Sequence, residues 1–167
     1  RIEWPVAQLG IAMMGGVMVP LNTYYQRDDL SYALTQSHAK ALFLSASFRN
    51  NRYLETVEEL RSEVPEMQTL IVFDGEDENT ESYDALIAAG SVSETILPDV
   101  SPDAVASLQY TSGTTGFPKG ALLTHAGMLA NAWGISGRLN VPADDRWTSI
   151  IPLFPCAGCI MCVLGTV

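Results

Sequence analysis

Short apolar runs alternate along this chain with longer segments in which apolar residues recur at helical spacing. Strands are predicted at 17–21, 41–44, 69–73, 105–110, 121–123 and 147–151. Helices are predicted at 4–14, 52–64, 82–89 and 158–164, with two more that begin at 28 or 29 and at 124 or 125. Strands that alternate with helices predict an α/β fold, in which a mainly parallel sheet carries helices on both faces.

Apolar positions within the predicted helices indicate the side chains that should form the core. The helix at 52–64 collects its apolar residues on one face, and Pro65 is expected to stop it. Two other helices have expected core faces, made by Leu30, Ala33 and Leu34 in one and by Met128, Leu129, Ala132 and Trp133 in the other. All of these side chains are predicted to be buried.

Two uncharged runs, 4–25 and 147–167, are long enough to be weighed as membrane spans. Prolines and glycines interrupt both, at Pro5, Gly15, Gly16 and Pro20 in the first and at Pro152, Pro155 and Gly158 in the second. Buried parallel strands also read as continuous apolar runs. The prediction is therefore a buried core and no integral membrane span.

Charge and cysteine content bear on the compartment and the partners. The net charge is −10 at pH 7, and residues 55–103 hold fourteen acidic side chains against one basic side chain, Arg61. An acidic stripe argues against a nucleic-acid partner and is interpreted as a solvated face. Three unpaired cysteines and the lack of a secretory signal favour the cytoplasm, which leaves room for peripheral contact with a membrane.

The run YTSGTTGFPKG, residues 110–120, has the composition of a loop that holds a polyphosphate, and we call it the phosphate loop. Glycines allow backbone N–H groups to turn toward an anion, hydroxyls donate further hydrogen bonds, and lysine supplies a positive charge. The run contains three glycines, four Ser or Thr hydroxyls and Lys119. A Ser/Thr/Gly surface loop without function is the alternative.

Two familiar nucleotide motifs are absent from the phosphate loop. In the Walker pattern counted from Gly113, Pro118 stands where the second glycine should be, and Gly120 stands where Ser or Thr should follow the lysine. The dinucleotide pattern Gly-x-Gly-x-x-Gly fails because Thr115 takes the place of its second glycine. Neither familiar nucleotide motif therefore accounts for the run.

The phosphate loop resembles the AMP-binding signature of the acyl-adenylate-forming enzymes, which include acyl-CoA synthetases, coumarate-type ligases and luciferases. The similarity covers ten consecutive positions, including Pro118 between Phe117 and Lys119. Residues 3–25, with the run at 15–22, and residues 28–40 also resemble family segments, and the whole is most like a fatty-acyl-CoA synthetase. The resemblance implies that residues 1–167 are a fragment of the family's large N-terminal AMP-binding domain, with the C-terminal domain absent.

The resemblance implies a two-step ligase. A carboxylate oxygen attacks the α-phosphate of ATP, pyrophosphate leaves, and the thiol of coenzyme A then captures the acyl-adenylate. The residues that would hold the β- and γ-phosphates, together with Mg²⁺, are Thr111, Ser112, Gly113, Thr114, Thr115, Gly116 and Lys119. Lys119 is the catalytic candidate, because its charge would stabilise the departing pyrophosphate. No metal site made by the protein alone is predicted.

The resemblance also implies the partners, which are a carboxylic acid, ATP and coenzyme A. The isolated fragment is expected to be inactive, because the family's later Tyr-Gly-x-Thr-Glu motif, ribose-binding Asp, hinge and C-terminal Lys are not in it. A cut domain exposes apolar faces that promote association, so a homo-oligomer stays open.

One position departs from the family pattern. The family usually carries a histidine directly after a Pro-Leu-Phe run, and here Pro155 follows Phe154. Proline has neither a donor nor an aromatic ring, so the role of that histidine cannot be performed at this position. His125 follows the strand after the phosphate loop, where it could contact the site or open a helix.

Cys156, Cys159 and Cys162 have the spacing that opens a bacterial ferredoxin cluster motif. The fourth cysteine and its proline are missing, and the same spacing fits small buried residues of a helix. Three function classes thus remain: an acyl-CoA synthetase fragment, a nucleotide-binding module without ligase activity, and a redox or Fe–S protein.

Overall fold

A computed structural model of the chain describes residues 1–75, 77–111, 117–140, 142 and 144–167. These residues divide into a first unit, Arg1–Thr23 with Leu97–Val167, and a second unit, Tyr24–Ile96. The elements in chain order are α1 (Glu3–Met13), α2 (Arg27–Ser37), β1 (Ala41–Leu44), α3 (Tyr53–Leu60), β2 (Thr69–Val72), β3 (Glu81–Ser82), α4 (Tyr83–Ser91), β4 (Val105–Thr111), β5 (Lys119–Thr124), α5 (His125–Leu139), a π-helix (Ala157–Val163) and a 3-10 helix (Leu164–Thr166).

The second unit is built on a parallel sheet of three strands in the order β1-β2-β3. The central strand β2 buries Leu70, Ile71 and Val72, as expected for a strand covered on both faces. From α3, Val57 and Leu60 are fully buried. The predicted core residues of α2, which are Leu30, Ala33 and Leu34, are also buried, so the helix faces in this unit are confirmed.

Local signals explain where α2 begins and ends. It starts at a capping box, in which the backbone N–H of Gln26 donates to Asp29 Oδ2 at 3.2 Å. It ends at His38, whose φ of 53° is left-handed. The helix predicted at 52–64 ends earlier than expected, at Leu60, while Val64 is still buried in the segment that follows.

The first unit begins with α1, which ends in a Schellman motif. The N–H groups of Gly15 and Gly16 donate to the carbonyls of Ala12 and Ile11 at 3.1 and 2.8 Å. Gly15 has a φ of 75°, which a residue with a Cβ adopts only under strain. The turn leads to Met18, which forms a parallel bridge with Ser107 of β4.

In the first unit, β4 and β5 form an antiparallel hairpin. The seven residues that join them are too few for a parallel crossover, which needs a dozen or more. With the parallel pairs of the second unit and the Met18 bridge, the described strands are mostly parallel, and the predicted α/β class is confirmed.

Three predictions for the first unit are wrong. Residues 147–151 contain no strand among their described positions, and at 17–21 only the Met18 bridge forms. In α5, Met128 and Ala132 are buried as predicted, whereas Leu129 and Trp133 are 58% and 84% exposed. Helical spacing identified an apolar surface on α5, but only one side of it packs against the π-helix.

No helix among the described residues is both long and apolar enough to cross a membrane. The first apolar run is divided between α1 and the Met18 segment, and the second between an irregular segment and the π-helix. Both runs contribute buried side chains, such as Gln8, Cys159 and Ile160.

Candidate functional site

The phosphate loop joins the ends of the β4–β5 hairpin. Thr111, the last residue of β4, is the register partner of Lys119, the first residue of β5. The Thr111 hydroxyl donates to the Lys119 carbonyl at 3.4 Å. Ser112, Gly113, Thr114, Thr115 and Gly116 lie outside the described residues.

Thr111 and Lys119, the two predicted site residues that the structure describes, are both exposed, so an anion in solution can reach them. Within the part of the chain that the structure describes, the Lys119 side chain makes no ion pair. No neighbouring carboxylate among the described residues therefore neutralises its positive charge, and an anion that arrives at the hairpin end could pair with it. Phe117 beside it is 69% exposed.

Buried contacts on β4 hold the hairpin. Ser107 and Gln109, two residues apart, point to the same face of the strand and are 2% and 5% exposed. Ser107 donates to the carbonyl of Met18 at 3.1 Å, and Gln109 Nε2 lies 3.2 Å from the sulfur of Cys159. These polar groups, which were not predicted from the sequence, connect β4 to the segment that follows α1 and to the π-helix.

A close approach explains one glycine of the loop signature. A Cβ on Gly120 would lie 3.2 Å from Leu108 Cδ2, tighter than ordinary van der Waals contact. Gly120 is the register partner of Tyr110, directly behind the phosphate loop. The signature's last glycine thus lets β5 lie close to β4 where the loop begins.

His125 lies at the other end of β5 and is not brought to the phosphate loop. With about 3.4 Å per residue along a strand, six residues separate it from Lys119 by about 20 Å. The cap of α5 is Thr124, whose hydroxyl accepts from the Gly127 N–H at 3.1 Å. His125 opens the helix, as one of the two predicted alternatives had it, and its ring Nε2 is buried without a partner among the described residues.

Pro155, where the family pattern has histidine, lies two residues before the first residue of the π-helix, Ala157. The Pro155 carbonyl accepts the N–H groups of Gly158 and Cys159 at 2.8 and 3.1 Å. Proline suits the first turn of a helix, because its missing N–H would have no partner there. Gly158 faces the backbone of the Pro-Leu-Phe run so closely that a Cβ would lie 2.1 Å from the carbonyl oxygen of Pro152.

The three cysteines do not assemble a metal site. Cys156 is exposed, Cys159 is buried and Cys162 is half-buried. No group of three His, Cys, Asp or Glu side chains converges among the described residues. Burial raises the pKa of the Cys159 thiol to about 11, with only partial opposition from the Gln109 contact, so this thiol stays neutral near pH 7.

Comparisons with known proteins agree on one family. The family model for AMP-binding enzymes matches residues 1–167. A putative acyl-CoA synthetase, YngI, of Bacillus subtilis is 36% identical over 99% of this chain and 34% of its own length. The mitochondrial medium-chain acyl-CoA ligase ACSF2 of Bos taurus is 31% identical over 94% of the chain and 29% of its own length.

Solved structures show the same architecture. The ATP-bound crystal structure of MatB from Rhodopseudomonas palustris superposes with a TM-score of 0.78 at 26% identity. That similarity covers 99% of this chain and 31% of MatB. The chain therefore spans about a third of the length of the proteins it matches.

Proposed function

Since the chain belongs to the AMP-binding enzyme family, we propose that its phosphate loop holds the β- and γ-phosphates of ATP. The observation that carries the proposal is the pair formed by Thr111 and Lys119, which the hairpin register sets side by side at the exposed end of β4 and β5. The Lys119 ammonium group supplies the charged donor for phosphate oxygens. The Thr111 hydroxyl would supply the neutral donor by turning from the Lys119 carbonyl, to which it donates at 3.4 Å, toward the phosphate. Ser112, Gly113, Thr114, Thr115 and Gly116 complete the proposed cradle.

The proposed reaction is carboxylate activation. A carboxylate oxygen attacks the α-phosphorus of ATP, the bond to the bridging oxygen breaks, and pyrophosphate carries that electron pair away. Lys119 would pair with the negative charge that grows on pyrophosphate as it leaves. The acyl-adenylate would then pass its acyl group to the thiol of coenzyme A, with AMP as the leaving group.

Mg²⁺ fits the donors of this site. It prefers oxygen ligands and usually keeps its water and the phosphate oxygens of the nucleotide, with few protein ligands. The described residues contain no cage of three acidic or metal-binding side chains, while the Thr111 hydroxyl offers an oxygen at the loop. Bound there, the ion would neutralise phosphate charge.

A fatty acid is the proposed carboxylic acid. The support is the substrate class in the name of a relative, the medium-chain fatty-acid–CoA ligase of Escherichia coli. We place the reaction in the cytoplasm, since the three cysteines are free thiols, as in a reducing compartment.

The test of phosphate binding uses the only two lysines of the chain, Lys40 and Lys119. Both are exposed, so Lys119→Met and Lys40→Met remove the same charge from comparable surroundings. Titration with pyrophosphate and with MgATP should show that Lys119→Met weakens binding at least tenfold, because a charge-assisted hydrogen bond is lost. Equal affinities of the two variants would contradict the proposal.

A second experiment, ATP–pyrophosphate exchange in the presence of a fatty acid, tests whether these 167 residues catalyse the first step of the reaction. We expect phosphate binding but no exchange, because the chain spans about a third of its relatives. Exchange above background that Lys119→Met abolishes would overturn the expected inactivity while supporting the ligase chemistry. Binding without exchange also matches a nucleotide-binding module. The same assay on this chain extended by the missing part of a relative such as YngI separates the module from a ligase.

A further inference from the structure

A cavity of about 180 Å³ lies in the first unit, where α1, β4 and α5 meet. Its walls are mainly apolar and include Ala12 of α1, Ala106 of β4 and Met128 of α5. Among the described residues, none of those that line the cavity belongs to the phosphate loop. The polar side chains on its wall are few, and two of them have unpaired atoms.

Gln8 of α1 is the first of these polar side chains and is only 4% exposed. Its Nε2 donates to the carbonyl oxygen of Cys159 at 3.0 Å. Because a carbonyl oxygen can only accept, this bond fixes the orientation of the amide and leaves Oε1 as an acceptor. Oε1 is buried and finds no donor among the described residues. An unpaired buried carbonyl is costly, so a missing donor is indicated.

The second polar side chain with an unpaired atom on the cavity wall is His125, the first residue of α5. Its Nε2 is buried and has no hydrogen-bond partner within the described part of the chain. Its position is fixed by the backbone, since its N–H donates to the carbonyl of Ala104 at 3.1 Å. In the Nε2–H tautomer the ring presents a donor, and the same cavity wall that carries Gln8 carries this ring.

We propose that the cavity binds a small neutral molecule with one hydroxyl group on an apolar body, such as a phenol or a short alcohol. A hydroxyl complements the two unpaired atoms, because its hydrogen is donated to Gln8 Oε1 while its oxygen accepts from His125 Nε2. A ketone cannot donate to Gln8, and a carboxylate would be buried against a wall that contains no Lys or Arg.

The volume sets the size of the apolar body. An apolar protein cavity of about 150 Å³ holds benzene. A cavity of about 180 Å³ therefore accommodates a benzene ring with one hydroxyl group. Apolar walls with a small number of placed polar groups are typical of small-molecule sites.

The test is a ¹⁹F NMR titration of the chain with 4-fluorophenol and with fluorobenzene, which differ only in the hydroxyl group. We expect saturable binding of both, with 4-fluorophenol bound about tenfold more tightly, since up to two hydrogen bonds depend on that group. Equal affinities, or binding that does not saturate, would overturn the proposal. A cavity that holds ordered water alone would give that negative result.

Single substitutions test whether the preference for 4-fluorophenol arises at Gln8 and His125. Gln8→Met and His125→Phe should each reduce the preference for 4-fluorophenol to less than threefold, with fluorobenzene affinity nearly unchanged. Trp4→Phe is the matched control, because it also deletes a buried unpaired polar atom, Nε1, on a residue outside the cavity wall. Ala12→Leu should weaken both probes by filling the cavity.

Circular dichroism establishes that each variant is folded. If Gln8→Met fails to fold, the two probes on the unaltered chain and on His125→Phe still decide the question. A loss of preference in Trp4→Phe as large as in His125→Phe would assign the effect to general destabilisation and overturn the site. The same holds if Ala12→Leu leaves both affinities unchanged.

Discussion

The parallel sheet of the second unit and the β4–β5 hairpin of the first differ in where their side chains go. The central strand β2 buries three consecutive apolar residues, 70–72. In the hairpin, β4 buries Ala106, Ser107 and Gln109, while the first four residues of β5 are exposed. Apolar burial on both faces thus stabilises the parallel sheet. In the hairpin, the partly buried strand β4 holds β5, whose first four residues remain exposed to solvent.

The difference matches the role that we propose for the hairpin. Binding residues are disproportionately carried by exposed loops on rigid supports. The hairpin supplies both parts, since β4 is held by buried hydrogen bonds and β5 presents Lys119. The second unit has no comparable motif and contributes a compact core.

The largest expected effect tests the contrast directly, with Leu60→Ala in α3 against Leu122→Ala in β5. Leu60 is fully buried and Leu122 is 62% exposed. Removing Leu60 should lower the free energy of unfolding by about 2–5 kcal/mol, because the loss of burial adds to the cost of a cavity. The exposed Leu122 should change it by less than about 0.5 kcal/mol. Urea denaturation followed by circular dichroism measures both.

A large cost for Leu122→Ala would break the contrast. It would mean that a surface covers β5 in solution, and sedimentation of the chain at several concentrations would then reveal self-association. A small cost for Leu60→Ala would show instead that the parallel sheet is not held by its apolar core.

The second prediction concerns the π-helix that β4 packs against. Gly158→Ala would place a Cβ 2.1 Å from the Pro152 carbonyl oxygen and 2.5 Å from the Leu153 Cα, so backbone must move. We expect the free energy of unfolding to fall by about 1–3 kcal/mol, in the range of overpacked cores.

Gly134→Ala in α5 is the matched control, because nothing lies within 4 Å of its added Cβ. It should stabilise the helix by about 0.5–1 kcal/mol, since alanine is the better helix former. Equal effects of the two substitutions would show that the close approach at Gly158 does not limit packing.

The features that were predicted correctly depend on residues that are close together in the sequence. Helical spacing identified the buried faces of α2 and α3, and the composition of residues 110–120 identified the loop between two strands. The antiparallel pairing of β4 and β5 follows from the short connection between them, and it is the exception in a fold that was predicted to be mainly parallel.

The predictions that failed concern contacts between residues that are far apart in the sequence. Leu129 and Trp133 have core spacing, but the elements that pack on α5 cover only Met128 and Ala132. Gln8 bonds to Cys159 across 151 positions of sequence, which no local pattern encodes. The polar pair Ser107 and Gln109, two residues apart in an apolar strand, was a signal that could have been used, because such a pair indicates buried hydrogen bonds.

The third prediction follows from the thiol of Cys159, buried against β4. Because burial raises its pKa from an ordinary 9.0 to about 11, iodoacetamide at pH 8 should alkylate the exposed Cys156 and leave Cys159 intact until the chain is unfolded. Peptide mass spectrometry distinguishes the sites. Rapid alkylation of native Cys159 would contradict the buried position of the π-helix.

The raised pKa of Cys159 also makes the stability of the folded state depend on pH. The folded state retains the proton that the unfolded state loses, so the contribution of Cys159 is complete below pH 9 and is lost as pH rises toward about 11. Cys159→Ala should show a smaller alkaline loss of stability between pH 8.5 and pH 10.5 than the unaltered chain.

The smallest effect is expected from the surface of the second unit, where Arg27 of α2 pairs with Glu63. The Arg27 guanidinium, aided by the Ser31 hydroxyl, holds the pKa of the Glu63 carboxyl below its ordinary value of 4.5. The contribution is therefore present above about pH 4.5 and is lost as pH falls below it. Glu63→Gln should lower Tm slightly at pH 6 and not at pH 3, because the pair is exposed.

Glu55→Gln is the control for that prediction, since Glu55 pairs with Arg52 within the first turn of α3 and links no second helix. It should change Tm less than Glu63→Gln at pH 6. If the two substitutions have equal effects at both pH values, the Arg27–Glu63 pair adds nothing to the packing of α2 on α3, and apolar burial alone holds the second unit together.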